Sequence, residues 1–176
     1  MNNLELLIIE TSYANHLFVI PFRKHLRHKR ITLPSVNALT YHTSTTVDFL
    51  PDVFANLQVL CLTVGKSLKK TRVDGGLRST RASSLIPAFQ KFPNLVDLTL
   101  AANQAGYDRG SYSQNREAHL LSQNSEVNAV ALFQSCQHLK KLLLDNGFRR
   151  ETFCPRRQGD EVTDLAVETE NYRGIW

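Results

Sequence analysis

Length, composition and charge exclude several classes of protein. The chain has 176 residues, 42% of them hydrophobic and 21% charged, with a net charge of +5, and this composition is typical of one globular domain. Its three widely spaced cysteines fit neither a disulfide framework nor a four-ligand zinc site. Without a long apolar run or a basic leader, we expect an intracellular protein, cytoplasmic or nuclear and not secreted, that does not cross a membrane.

Helix-like and strand-like segments alternate along the chain. The opening residues 1–9 carry leucines at strand spacing, and residues 15–30 predict a helix. Further on, apolar residues at positions i, i+3, i+4 and i+7 predict three more helices. Their apolar stripes are Leu50, Val53, Phe54 and Leu57, then Leu85, Ala88, Phe89 and Phe92, and finally Ala129, Leu132, Phe133 and Cys136. Each stripe runs directly into a short strand-like segment, so the predicted unit is a helix, a short loop and a strand.

The strand-like segments repeat one pattern of leucines. Strict copies of L-x-x-L-x-L begin at Leu57, Leu95 and Leu139, and looser copies begin at Leu4 and Val36. Strands joined by helical connections of this length have to run parallel, since an antiparallel hairpin needs only a few connecting residues. The sequence therefore predicts neighbouring parallel strands built from one stacked unit.

The fullest copy, Leu95, Leu98 and Leu100 followed by Asn103, resembles the leucine-rich repeat. The copy that begins with Cys136 is similar to the cysteine-containing subtype of that repeat. Irregular spacing and the P-N-L and A-N-L entries resemble the degenerate repeat region of fungal F-box proteins, although no F-box is recognised in the chain. Because Met1 falls inside a repeat unit, one interpretation is that the chain is a fragment that lacks the F-box.

The resemblance implies an α/β fold, an irregular leucine-rich-repeat-like solenoid with about five short parallel strands and helices on the convex side. We expect this domain to span residues 1–147, with exposed loop insertions at 65–83 and 105–124. Residues 148–176 are expected to form a C-terminal tail, in which 162–167 is a candidate for one further strand.

The concave face of such a solenoid is the expected binding surface, because residues between the motif leucines point towards it. The candidate partner-binding residues on this face are Asn37, Thr40, Gln58, Asp97, Thr99 and Lys141. The main functional prediction is a non-catalytic protein-interaction module. Its resemblance to F-box proteins implies substrate recognition for a cullin-type ubiquitin ligase.

An alternative prediction is nucleic-acid binding through two cationic clusters, at residues 23–30 and 66–81. These clusters could neutralise phosphates, but neither interleaves the aromatic residues that stack on bases. An unrelated small α/β enzyme is the third interpretation and ranks last.

No arrangement of residues predicts catalysis, a cofactor or a metal. His25 and His28 lie one helical turn apart, yet neighbouring cations and the lack of a third ligand argue against a metal there. Gly65-Lys66-Ser67 lacks the upstream glycine of a phosphate-binding loop. We therefore expect a protein that is not an enzyme and that has no catalytic, cofactor-binding or metal-binding residues.

Overall fold

Within the part of the chain that the structure describes, seven strands form one sheet in the order in which they occur in the sequence. The computed structural model describes residues 5–9, 25, 28–43, 49–64, 86–102, 125–146 and 149–171. In chain order the elements are β1 (Leu6–Ile9), β2 (Ala38–Thr43), α1 (Leu50–Val53), β3 (Val59–Val64), α2 (Ile86–Phe89), β4 (Asp97–Ala102), α3 (Ser125–Ser135), β5 (Lys141–Asp145), β6 (Arg149–Gln158) and β7 (Glu161–Asn171). Strands β1 to β5 pair in parallel, whereas β6 is antiparallel to both β5 and β7.

The predicted fold class, an irregular leucine-rich-repeat-like solenoid with about five short parallel strands and helices on the convex side, is wrong. The structure has one mixed sheet, because an antiparallel hairpin extends it beyond β5. Short connections, residues 146–148 before β6 and 159–160 before β7, leave no room for a crossover and require antiparallel pairing.

The predicted domain boundary cuts through this sheet. Residues 148–176, predicted as a tail, contain β6 and β7, and the candidate strand at 162–167 lies within β7. Both predicted loop insertions, 65–83 and 105–124, lie outside the described residues, as does most of the helix predicted over 15–30.

One side of the sheet is packed against the helices and forms the core. Two rows of buried side chains cross the strands in register there, Leu39, Leu60, Leu98, Leu142 and Phe153 in one and Tyr41, Leu62, Leu100 and Leu144 in the other. The helices contribute the apolar side chains that cover them, among them Leu50, Phe89, Leu132 and Phe133. Burying these large apolar groups is the main stabilising contribution to the fold.

A repeated hydrogen-bond pattern fixes the register of the parallel strands. The carbonyl of Asn37 accepts hydrogen bonds from the amides of Gln58 (2.8 Å) and Val59 (3.0 Å), one strand along. The carbonyl of Gln58 does the same for Val96 (2.8 Å) and Asp97 (3.0 Å). The carbonyls of Glu5 and Val96 make the equivalent pairs of bonds, so the same entry geometry occurs at four successive strand pairs.

The hairpin of β6 and β7 follows from local sequence. Gly159 and Asp160 connect the paired residues Gln158 and Glu161, and Gly159 has a φ of 63°. Two-residue hairpin turns need positive φ, which glycine adopts without a steric cost. Pro155 lies in β6 beyond Phe153, the last residue paired with β5, so the missing proline amide removes no bond to β5.

The helices are short in the part of the chain that the structure describes. The longest, α3, has 11 residues. None of the described helices has the length and apolar character required to cross a membrane.

Candidate functional site

The side of the sheet opposite the helices is the candidate functional site, and we call it the open face. Strand side chains alternate between the two sides of a sheet, so every second residue of each strand belongs to this face. Because the strands are in register, these residues form rows that cross the sheet. The helix-side rows are buried, whereas most side chains of the open face are half-buried or exposed.

The central row of the open face runs across the whole sheet. Its members, in register from β1 to β7, are Ile8, Thr40, Cys61, Thr99, Leu143, Thr152 and Glu168. The row starts with the apolar side chain of Ile8, has short side chains in β2 to β4, and ends in the carboxylate of Glu168. The five members of the row from Thr40 to Thr152 are each half-buried.

The β1 to β3 end of the open face is an exposed apolar patch. Leu6, Ala38 and Val59 are in register in the row next to the central one. The exposed fractions are 55% for Leu6, 56% for Ile8 and 44% for Val59. Three large apolar side chains grouped on one face are an arrangement typical of binding surfaces, whereas scattered ones are not informative.

The β5 to β7 end of the open face carries charges. Arg150 of β6 lies between two carboxylates: its Nη2 atom is 3.3 Å from Oδ2 of Asp145, and its Nη1 atom is 3.7 Å from Oε2 of Glu170. Lys141 of β5 lies opposite Asp97 of β4 in the register. The open face is therefore apolar at β1 and carries charges of both signs over β4 to β7, so its two ends differ in chemistry.

Cys61 is a half-buried thiol in the central row. Burial raises the pKa of this thiol, and the negative charge of Asp145 raises it further. A raised pKa keeps the sulfur protonated and weakly nucleophilic near neutral pH. Cys61 therefore contributes a small apolar surface to the face.

Four of the six candidate partner-binding residues lie on the open face. Thr40 and Thr99 belong to the central row, and Asp97 and Lys141 are in register in the row beside it. The other two, Asn37 and Gln58, precede β2 and β3, where their carbonyls hold the entry of the next strand.

Val59 and Ala38 occupy the row positions for which Gln58 and Asn37 were selected. Residues on one face of a strand are two positions apart, so the residue of β3 that shares a face with Cys61 is Val59. The sequence prediction placed residues on the face by their position within the leucine motif. Strict alternation along each strand would have identified Leu6, Ala38 and Val59 instead. Arg150 and Glu170 were missed because residues 148–176 were predicted to form a tail. Alternation of side chains along the two strands in that segment was the signal that could have found them.

Of the two cationic clusters, only part of 23–30 belongs to the described residues. Its described members, His25 and residues 28–30, are exposed. The cluster at 66–81 lies outside the described residues. Across the described ranges, no three His, Cys, Asp or Glu side chains are grouped so that they could hold a metal ion.

No protein-family model, curated protein or solved structure matches this chain. Function therefore has to be inferred from the geometry and chemistry of the open face, because a fold by itself does not determine an activity.

Proposed function

We propose that the open face binds another protein and that the chain is a non-catalytic interaction module. The observation that carries this proposal is the exposed apolar patch of Leu6, Ile8 and Val59, on the side of the sheet opposite the described helices. Covering these side chains with a partner would remove apolar surface from water, which is the main favourable contribution to protein association.

The chemistry of the face defines the partner. Opposite β1 to β3 the partner needs apolar side chains, because an unpaired polar group would be desolvated there without compensation. Opposite β4 to β6 it needs polar or charged groups that complement Asp97, Lys141 and Arg150. Complementary charges at one end would fix the orientation of the partner and exclude others.

Charge pairing in the hairpin favours a protein over a nucleic acid as the ligand of this face. Arg150 is held by two carboxylates, and Arg156 lies 3.3 Å from Asp164. Between residues 149 and 171 the sequence has four arginines against six acidic residues, so this end of the face repels phosphates. Nucleic-acid binding by the clusters at 23–30 and 66–81 stays a prediction.

The narrower role in a cullin-type ubiquitin ligase also stays a prediction, because it depends on the sequence resemblance alone. We further propose an intracellular location. This proposal rests on the three cysteines, which are free thiols in the structure and are chemically suited to a reducing compartment.

A charge placed in the apolar patch tests the proposal. Val59→Lys adds a cation on the open face, at a side chain that is already 44% exposed, so the fold should tolerate it. In a pull-down from nuclease-treated extract, proteins retained by the wild-type chain should fall at least about tenfold with this variant, since a desolvated charge costs several kcal/mol. Quantitative mass spectrometry of the retained proteins measures the loss.

Val127→Lys is the matched control. Val127 is 68% exposed but lies on α3, away from the open face, so retention should be unchanged. Equal retention by both variants, or no protein retained by the wild type, would contradict the proposal. Filter binding to mixed DNA and RNA at two salt concentrations checks the alternative: steeply salt-dependent retention would support it.

A further inference from the structure

The outer edge of β7 is a second exposed surface, at the opposite end of the sheet from the apolar patch of β1 to β3. Among the described strands, β7 is the last of the sheet and pairs with β6 alone. It has 11 residues, about twice the length of a typical strand. Most of its side chains are exposed, including all those from Ala166 to Asn171. The backbone amides and carbonyls on its outer side are therefore in a position to pair with another strand.

Side chains of β7 alternate in chemistry between the two sides of the sheet. On the open face it carries Asp164, Glu168 and Glu170, the residues that pair with Arg156, Thr152 and Arg150. On the helix side it carries Leu165 and Val167, and Val167 is 40% exposed. No Lys, Arg or His occurs in Glu161–Asn171.

We propose that the outer edge of β7 binds an extended peptide from another protein, in which basic side chains alternate with apolar ones. Backbone hydrogen bonds to β7 would add the peptide as an eighth strand. Its basic side chains would lie on the open face beside Asp164 and Glu168, and its apolar side chains would lie beside Leu165 and Val167. Opposite charges directly across two strands stabilise the pair, and the apolar contacts would cover the exposed part of Val167.

The charge of β7 also disfavours β7 of a second copy of the chain as the occupant. Pairing of β7 with β7 of another molecule would bring acidic side chains together from both strands, and like charges across a strand pair are destabilising. Acidic residues on an exposed edge protect a protein against such self-association. The same residues attract a strand of opposite charge, so the edge selects a basic partner.

Backbone-modified peptides test this proposal without changing the protein. The probe is a blocked synthetic peptide of alternating lysine and valine, titrated by fluorescence anisotropy. Only alternate amides of an added strand bond to β7. N-methylation of one alternate set of residues should therefore weaken binding at least about tenfold, and methylation of the other set should change it less than about threefold. Equal effects of the two sets would overturn the proposal.

A charge reversal on β7 tests the electrostatic part. Glu168→Lys should weaken binding of the unmodified probe at least about tenfold, whereas Asp52→Lys, a reversal at an exposed residue of α1, should leave it unchanged. Val59→Lys should also leave it unchanged, which separates this edge from the proposed function of the open face. Equal weakening by Glu168→Lys and Asp52→Lys, or a probe that instead drives association of two copies in sedimentation, would overturn the proposal.

Discussion

Leu98 and Thr99 are neighbours in sequence that lie on opposite sides of β4. Leu98 is completely buried in a row of apolar side chains that extends from Leu39 to Phe153. Thr99 is half-buried in the central row of the open face. The two residues therefore report separately on the core and on the candidate site.

Leu98→Ala should lower the free energy of unfolding by about 2 to 5 kcal/mol, because it leaves a cavity that the neighbouring leucines cannot fill. Urea unfolding followed by circular dichroism measures the change. Thr99→Ala is the matched control on the same strand and should change stability by less than about 1 kcal/mol, since surface substitutions are usually small in effect. A near-zero effect of Leu98→Ala would contradict the assignment of the core side.

At the scale of single residues, strict alternation in each strand predicts which side chains share a face. Thr40, Asp97, Thr99 and Lys141 could be selected from the sequence because each lies next to a motif leucine. The structural role of Gln58 at the entry of β4 could not be predicted from the sequence. Its contribution is a backbone carbonyl that bonds two amides of the next strand, and a side chain carries no information about that geometry.

At the scale of elements, Arg157 connects the hairpin to the helix layer. Its Nη2 atom donates to the carbonyl oxygen of Phe133 (2.8 Å) in the last turn of α3, and to those of Cys136 (3.5 Å) and Leu139 (3.4 Å) in the segment that follows the helix. The last carbonyls of a helix have no partners within the helix and carry partial negative charge, so a guanidinium there is favourable. Burial raises the pKa of the Cys136 thiol to about 11, and the charge of Arg157 opposes that increase.

Arg157→Gln should destabilise the protein by about 1 to 3 kcal/mol, because partly buried carbonyls would lose a charged donor. Arg156→Gln is the matched control one residue earlier. Its ion pair with Asp164 is exposed, and exposed pairs contribute less than about 1 kcal/mol. Thermal unfolding of the two variants measures the difference. Equal loss of stability in both would mean that Arg157 does not cap α3.

The hairpin strands could not be predicted from the leucine pattern. β6 has the sequence RRETFCPRRQ, in which only Phe153 is a fully buried apolar residue. Its buried carboxylate, Glu151, lies 2.6 Å from Arg149, an interaction that becomes evident only when the strand is folded. Two local sequence signals for turns were available, Asn146-Gly147 and Gly159-Asp160, but the surrounding charges favoured a tail instead.

At the scale of the whole molecule, the hairpin covers the end of the parallel strands. Without it, β5 would be an edge strand with Leu142 and Leu144 on its packed side, and an uncovered edge strand can pair with another chain. β6 supplies backbone pairing along β5, and Phe153 closes the end of the core. The domain is therefore complete only when it includes residues 149–171.

Truncation after Asn146 tests this conclusion. The shortened chain should lose cooperative thermal unfolding and should associate through the uncovered β5 edge. Circular dichroism and light scattering measure the two effects. Removal of residues 172–176 alone, which leaves β7 intact, is the control and should preserve both the unfolding transition and the monodisperse sample. A cooperative, non-aggregating truncation after Asn146 would show that the hairpin is dispensable.

The hairpin also sets an order of assembly during synthesis. Its two strands are joined by two residues and can pair within about 1 to 10 μs, whereas each parallel pair must first close a long crossover connection. The ribosome, however, releases this fast-forming element after all five parallel strands. We expect the parallel strands of the nascent chain to stay incompletely folded until the hairpin emerges, and then to fold rapidly, starting from the hairpin.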